Sequence, residues 1–309
     1  MAKRTIHSAV VNGPLGTVGM ALVKNLLERG IETWAACYPG DPRIAALPEG
    51  AKIVECDMRE IGKLAEAIPA ADAFFHLAWM GTIGPGRNDT RMQTENIRCA
   101  VEAAETAKAL GCKVFIGVGS QAEHGRIEGK VTPEAPCFPT TGYGIAKLCA
   151  GQMTRLACRN LGIDHVWARI LSAYGPGDGP MSVIPTILGK LLKGEKPALT
   201  KGEQLWDFCF SGDVAEALAC MALDGKDGAV YPIGSGTARP LREYFEIARD
   251  AVDPNLPLGI GELPYNENQV MHLEADLTAL REDTGFEPKV PFEEGIRITL
   301  EAYRKKELG

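Results

Sequence analysis

The chain has 309 residues, 45% of them hydrophobic and 24% charged, with a formal net charge of −7. A chain of that length and composition buries an ample core, which excludes a disordered polypeptide, a collagen-like repeat and a disulfide-dependent miniprotein. Its acidic balance, with no basic cluster, argues against a nucleic-acid or membrane-surface partner.

Residues 5–11 read as a strand, and residues 18–29, apolar at 18, 22, 23, 26 and 27, as a helix ended by Gly30. A strand at 32–37, a Pro/Gly loop, a strand at 52–55, a helix at 61–68 and a strand at 73–77 follow. Next come a long helix at 89–110, a strand at 113–118, a helix at 143–161 and a strand at 165–170. Strand and helix alternation with apolar strands predicts a parallel sheet covered on both faces, which takes ligands at the carboxyl ends of its strands. After Ile170 a Gly/Pro-rich stretch breaks the rhythm, and helices at 184–193, 212–223, 241–252 and 292–305 mix with short strands. The expected fold class is α/β: a Rossmann-type doubly wound parallel sheet with a smaller C-terminal α/β substrate lobe. The cofactor domain is expected at 1–171, with 205–233 returning to it, and the substrate lobe at 172–204 and 234–309.

The nine cysteines are irregularly spaced and form no C-x-x-C pair. That pattern fits reduced thiols in a cytoplasmic protein rather than a disulfide framework or a metal site. The opening apolar run is too short for a signal-peptide core, and there is no run of ~18 apolar residues, the length needed to span a bilayer.

The first strand runs into Gly13, Gly16 and Gly19 and then into a helix. Glycines at this spacing give a tight turn, close approach of backbone to a pyrophosphate, and close helix–strand packing, while the helix start offers free N–H groups. A tight strand–helix turn would use the same glycines. An acid is expected at the end of the second strand to hold the ribose of NAD, but Cys37 and Tyr38 stand there. Arg43 in the following loop points toward the 2′-phosphate of NADP, with Tyr38 stacking on the adenine, although a solvated loop arginine remains the alternative. The cofactor is therefore read as NAD(P), leaning to NADP.

Tyr143 and Lys147, at i and i+4, share one helix face. An ammonium near a phenol lowers a pKa that starts near ~10, as a tyrosine acting as general acid/base requires. The Ser120 hydroxyl, just past a strand, completes a set able to hold a substrate oxygen; a turn cap is its other reading.

These residues, with Cys56-Asp57-Met58, Phe75 to Ala78, Asn96, the 119–125 segment, Arg169, the Tyr174 loop, Trp206 to Phe208, Asp213 and Ile233-Gly-Ser-Gly, resemble the extended short-chain dehydrogenases/reductases of the NAD-dependent epimerase/dehydratase type nearly end to end. The resemblance implies Tyr143 as acid/base, Lys147 on the nicotinamide ribose and Ser120 orienting the substrate oxygen. It places Gly13, Leu15, Gly16, Gly19, Tyr38, Arg43, Asp57, Met58, Ala78 and Ile170 along the cofactor, and makes His76 a strand-end residue beside it. Gln121, His124, Ser172, Lys201 and Trp206 are expected on the substrate side. The implied partner is a nucleotide-linked sugar, and the implied assembly a homodimer pairing the 89–110 and 143–161 helices, whose small residues would also suit packing within one chain.

Several positions depart from that pattern. Gln121 and Ala122 follow Ser120 where 4,6-dehydratases carry an acidic pair, which predicts against that activity. His124 replaces a common tyrosine and either touches substrate or fills space. Ser172 replaces an asparagine, while Trp206 and Asn266 fall where arginines often bind the diphosphate, leaving Lys201 or Arg126 as substitutes. The first reading is a nucleotide-sugar epimerase; the second is an NADPH-dependent 4-keto sugar reductase using the same three residues. A non-catalytic dinucleotide sensor is the third, and it gives no reason for Ser120, Tyr143 and Lys147 to coexist.

Overall fold

A computed structural model of the protein describes residues 3–127, 129–266 and 269–307. Seven strands form the main sheet: Ser8–Asn12 (β1), Glu32–Cys37 (β2), Lys52–Glu55 (β3), Ala73–His76 (β4), Val114–Ser120 (β5), Asp164–Ile170 (β6) and Val230–Ile233 (β7). Their order is β3-β2-β1-β4-β5-β6-β7 and every pairing is parallel. The chain reverses direction across the sheet between β1 and β4, so the crevice beyond their carboxyl ends is where a doubly wound sheet binds ligands.

Both faces are covered, which is why the central strands are apolar on alternate and intervening positions alike. On one face the Thr17–Glu28 and Ser211–Asp224 helices bury Leu22, Val23, Leu26, Val214 and Leu218 against Val11 and Ile116. On the other, Ala103, Ala104 and Ala107 of the Thr90–Ala109 helix pack on Phe74 and Phe115. Asp89 caps that long helix through the N–H groups of Arg91 and Met92. The Gly142–Leu161 helix starts at Thr141, whose hydroxyl accepts the Gly144 N–H, and stops at Gly162, in the left-handed region with φ 69°.

Two elements differ from expectation. The helix expected at 61–68 is a 3-10 segment, Met58–Lys63, followed by one α-turn, Leu64–Ala67, because Glu60 (φ −121°, ψ 29°) breaks the helical backbone. The strand expected to stop at 118 continues as β5 to Ser120, which places that hydroxyl on the sheet itself.

A second apolar cluster joins the Val183–Leu192, Leu241–Val252 and Phe292–Glu307 helices through Ile187, Leu191, Tyr244, Phe245, Phe292 and Ile296. Beside it lies a small sheet of Arg239–Pro240, Leu205–Trp206, His272–Ala275 and Lys130–Val131. The chain crosses between the two clusters more than once: β7 returns to the main sheet, while Lys130–Val131 leaves it to pair with His272–Ala275. Among the described residues no helix is long and apolar enough to cross a membrane.

Candidate active site

β1 ends in Asn12, whose amide lies 3.0 Å from Nδ1 of His76, and the chain turns at Gly13 with φ 89°. A Cβ at Gly13 would lie 2.5 Å from the Ala78 nitrogen, so only glycine allows this approach of the two strand ends. A Cβ at Gly19 would strike the Gly13 carbonyl, so the helix packs directly on the loop. Gly16 is the N-cap of the Thr17–Glu28 helix and supplies no side-chain cap. The helix start therefore keeps N–H groups for an anion, the requirement of a pyrophosphate site.

The cleft above this loop has a volume of about 440 Å3, and its lining brings together Gly13, Leu15, Gly16, Tyr38, Arg43, Asp57, Met58 and Ala78. These are the positions assigned to the cofactor from sequence, apart from those in the second cleft. Asp41, Arg59, Trp79, Met80 and Thr82 line the same cleft and escaped the sequence reading. Arg43 is held by Asp41 (Nη2 to Oδ2 2.6 Å) and Arg59 by Asp57 (Nη2 to Oδ2 2.5 Å). The side-chain bonds to Arg43 hold the Asp41 carboxyl at about 2. Two guanidinium groups thus flank exposed Tyr38, and no carboxylate stands at the end of β2. The cradle fits a nicotinamide dinucleotide: the turn is shaped by missing Cβ atoms and the helix start is uncapped by any side chain.

A second cleft of about 280 Å3 shares Gly13, Gly16, Leu77, Trp79 and Thr82 with the first. It contains Ser120, Tyr143, Lys147, Gly19 and Ile170, so the sequence-assigned catalytic set does converge. Lys147 is buried and its Nζ donates to the Val118 carbonyl at 2.6 Å, with the Trp79 ring 3.8 Å away. Burial brings its pKa down to about 7. Its ammonium is 6.0 Å from the Tyr143 ring centroid and turned toward β5. Burial raises Tyr143 above its ordinary 10, opposed by a hydrogen bond from Ser120 and by the charge of Arg87. The Arg87 guanidinium stacks over the phenol at 4.4 Å, and Trp79 meets the ring edge-on at 6.2 Å.

Glu123 lies beneath this set, fully buried, and accepts from the Ser120 N–H (2.8 Å), Trp167 Nε1 (3.1 Å) and Arg169 Nε (2.7 Å). The Ser-x-x-Glu spacing from Ser120 marks this acid as part of a capping box, while its burial follows from Trp167 and Arg169 of β6. His76 is buried and held neutral, its pKa pushed down to about 3 by desolvation and by Lys147.

The substrate-side residues do not all converge. Ser172 and Trp206 meet, with Trp206 Nε1 donating to Ser172 Oγ at 2.9 Å. Both line a cavity of about 510 Å3 together with Thr200, Gln204, Phe208 and Phe245. Among the described residues its lining includes no lysine or arginine. His124 is buried, with Nδ1 3.0 Å from the Pro136 carbonyl, because the turn after β5 directs its ring into the interior. Lys201 is exposed and, unlike its neighbour Thr200, is not part of that lining. Gln121 opens the 3-10 turn after Ser120 and lines neither cofactor cleft.

A model of the NAD dependent epimerase/dehydratase family matches residues 9–234. The chain is 26% identical over 202 residues to a dTDP-glucose 4,6-dehydratase of Xanthomonas campestris pv. campestris, a match covering 61% of this chain and 57% of that relative. It is 27% identical over 260 residues to a dTDP-glucose 4,6-dehydratase of Streptomyces niveus, covering 82% of this chain and 76% of the relative. The structure of a UDP-glucose 4-epimerase with UDP-glucose, from Thermotoga maritima, has the same fold, with TM-score 0.87 at 23% identity over 97% of this chain and 99% of that one. The expectation against a 4,6-dehydratase finds no support among these relatives, two of which bear that name. The matched length, the parallel sheet with its glycine turn and the converging Ser120, Tyr143 and Lys147 agree: the chain belongs to the NAD dependent epimerase/dehydratase family.

Proposed function

We propose that the protein transfers hydride between a nicotinamide dinucleotide and a nucleotide-linked sugar, with Tyr143 as acid/base. The observation that carries this reading is the pair of adjoining clefts, one at the Gly13–Gly16 turn and one at Ser120 and Tyr143, which share Gly13, Gly16, Leu77, Trp79 and Thr82. A bound nicotinamide dinucleotide supplies or accepts the hydride. Ser120 donates a hydrogen bond to the substrate oxygen, Tyr143 gives or takes that oxygen's proton, and Lys147 holds the nicotinamide-side ribose. The nucleotide end of the substrate lies toward Ser172 and Trp206.

The same three residues serve an epimerase, which takes hydride from the sugar and returns it, and a ketoreductase, which delivers hydride to the sugar once and releases the oxidised cofactor. Arg43 and Arg59 beside Tyr38, with no acid ending β2, favour the ketoreductase using NADPH. The test is to supply a nucleotide 4-keto sugar with NADPH and follow loss of the reduced nicotinamide together with the sugar product. Stoichiometric oxidation supports the ketoreductase. Epimer formation from a nucleotide hexose without net oxidation replaces it with the epimerase, and formation of a 4-keto-6-deoxy product replaces both with the dehydratase. Arg43→Ala combined with Arg59→Ala is expected to weaken NADPH about 10- to 100-fold and leave NADH within about 2-fold, since charge-assisted hydrogen bonds to the 2′-phosphate are lost. Equal losses for both dinucleotides would refute the NADP assignment.

We also propose a homodimer. Ile145 (55% exposed), Met153 (45%) and Leu156 (53%) form an apolar stripe along the Gly142–Leu161 helix. A stripe at this spacing suits the same stripe of a second copy. Met153→Glu with Leu156→Glu is expected to give a monomer by light scattering, with the wild type at twice its mass; a monomeric wild type rejects the proposal.

A further inference from the structure

The loop between β4 and the Thr90–Ala109 helix is tied down by the side chains of Gln93 and Asn96. The Gln93 amide, buried on that helix, donates to the carbonyls of Met80 (3.3 Å), Gly81 (3.1 Å) and Gly86 (2.9 Å). Gln93 Oε1 accepts from Trp79 Nε1 at 2.9 Å. Asn96, also buried, pairs with both backbone groups of Met80 at 2.9 Å. At the far end of the loop, Asn88 Oδ1 accepts the N–H of Gly142, the first residue of the helix that carries Tyr143. A Cβ at Gly142 would sit 3.2 Å from the Arg87 carbonyl, so the loop rests directly on that helix start.

This bracing has one chemical consequence. Arg87, whose Nη1 donates to the Thr82 carbonyl at 2.8 Å, is laid with its guanidinium 4.4 Å over the Tyr143 ring. Lys147, on Tyr143's own helix, is the more distant cation, with one N–H given to the Val118 carbonyl and its ammonium over the Trp79 face. The charged groups facing Tyr143 are Arg87 from this loop, Glu123 from the turn after β5, and Lys147; the Ser120 hydroxyl faces it from the end of β5. Glu123 opposes the phenolate, and Arg87 stabilises it.

We propose that Arg87 is a positioning residue for Tyr143, its stacked guanidinium supplying the positive charge that stabilises the phenolate and leaving Lys147 to the nicotinamide ribose. The proposal rests on Tyr143 as the acid/base of the proposed reaction. It divides between two residues the two tasks that the sequence reading placed on Lys147 alone. A cation over a desolvated aromatic ring is favourable for the neutral phenol and more so for the phenolate, whose charge spreads over the ring.

The experiment places a fluorotyrosine at position 143 and titrates it by fluorine NMR, a readout that needs no substrate and reports one residue. Fluorination lowers the phenol's intrinsic pKa and keeps the titration within the stable range. Arg87→Met is expected to raise the apparent pKa by about one unit or more, the effect of removing an opposite charge at this distance. Arg87→Lys is expected to restore at least half of the shift. Asn88→Ala, which loosens the loop while keeping the guanidinium, is expected to give a smaller rise. With substrate, Arg87→Met should lower kcat about tenfold at neutral pH and leave the cofactor's KM in place. Coincident titrations of wild type and Arg87→Met overturn the proposal. An active Tyr143→Phe enzyme would instead overturn the acid/base reading, and the fluorine titration would still report whether Arg87 sets the phenol.

Discussion

Tyr143→Phe is expected to lower turnover by about 10³-fold, within the range that a positioned general acid/base contributes. The substitution removes one oxygen and keeps the ring that Arg87 covers and Trp79 meets edge-on, so packing around it stays intact. Cofactor affinity should stay within about 2-fold, because the cradle proposed for the phosphates is formed by Gly13, Gly16 and the start of the following helix, at the end of another strand. The two readouts are kcat with the nucleotide-sugar substrate and quenching of tryptophan fluorescence by the cofactor, with Trp79 lining both clefts as the reporter. A fully active variant would remove the mechanism. A variant that lost cofactor binding as well would make Tyr143 a structural part of the cradle instead.

The second large effect is on stability. Glu123→Ala should lower the free energy of unfolding by about 3–5 kcal/mol, the usual cost of removing one partner of a buried ion pair. It strands the Arg169 guanidinium, and it leaves the Ser120 N–H and the Trp167 indole N–H without their acceptor. Urea unfolding of the single variants and of Glu123→Gln combined with Arg169→Met checks this. The double variant should recover part of the loss, because neither charge is then left alone. A loss within about 1 kcal/mol for Glu123→Ala would mean that water or a neighbouring group takes over the carboxylate's bonds. The same acid fixes the backbone from which the Ser120 hydroxyl projects. Variants that fold should therefore also lose activity through Ser120, visible as a fall in kcat beyond the loss of folded protein.

The residues that converge best are those whose placement depends on local chain geometry. A strand running into a glycine turn and a helix can be read from one segment, and Gly13, Gly16 and Gly19 occupy the places that reading assigns. Tyr143 and Lys147 stand one helical turn apart for the same reason, since i and i+4 share a face whatever the rest of the chain does. The direction of the Lys147 ammonium is another matter. It is decided by the Val118 carbonyl and by Trp79, which come from β5 and from the loop after β4. Arg87 carries no local mark, since it lies in a Gly/Pro loop that looks like solvent-exposed connection. Glu123 carries only the Ser-x-x-Glu spacing of a capping box, and its burial is decided by Trp167 and Arg169 from β6. His124 and Lys201 lie outside the substrate-side cavity for the complementary reason: a turn's direction decides which side chain enters a cavity, and that direction follows from packing against other elements.

By itself, the sequence determined the alternation that makes a doubly wound sheet, the glycine turn that makes a dinucleotide cradle, and the Ser120, Tyr143 and Lys147 set. Each follows from periodicity or from contacts within a few residues. Only the tertiary structure decided which charges surround the phenol, which acid is buried beneath it, and which polar residues face the substrate cavity. Those depend on side chains brought together from distant parts of the sequence, 46 positions apart for Glu123 and Arg169, and electrostatic strength inside a protein is set by the burial that such long-range packing creates.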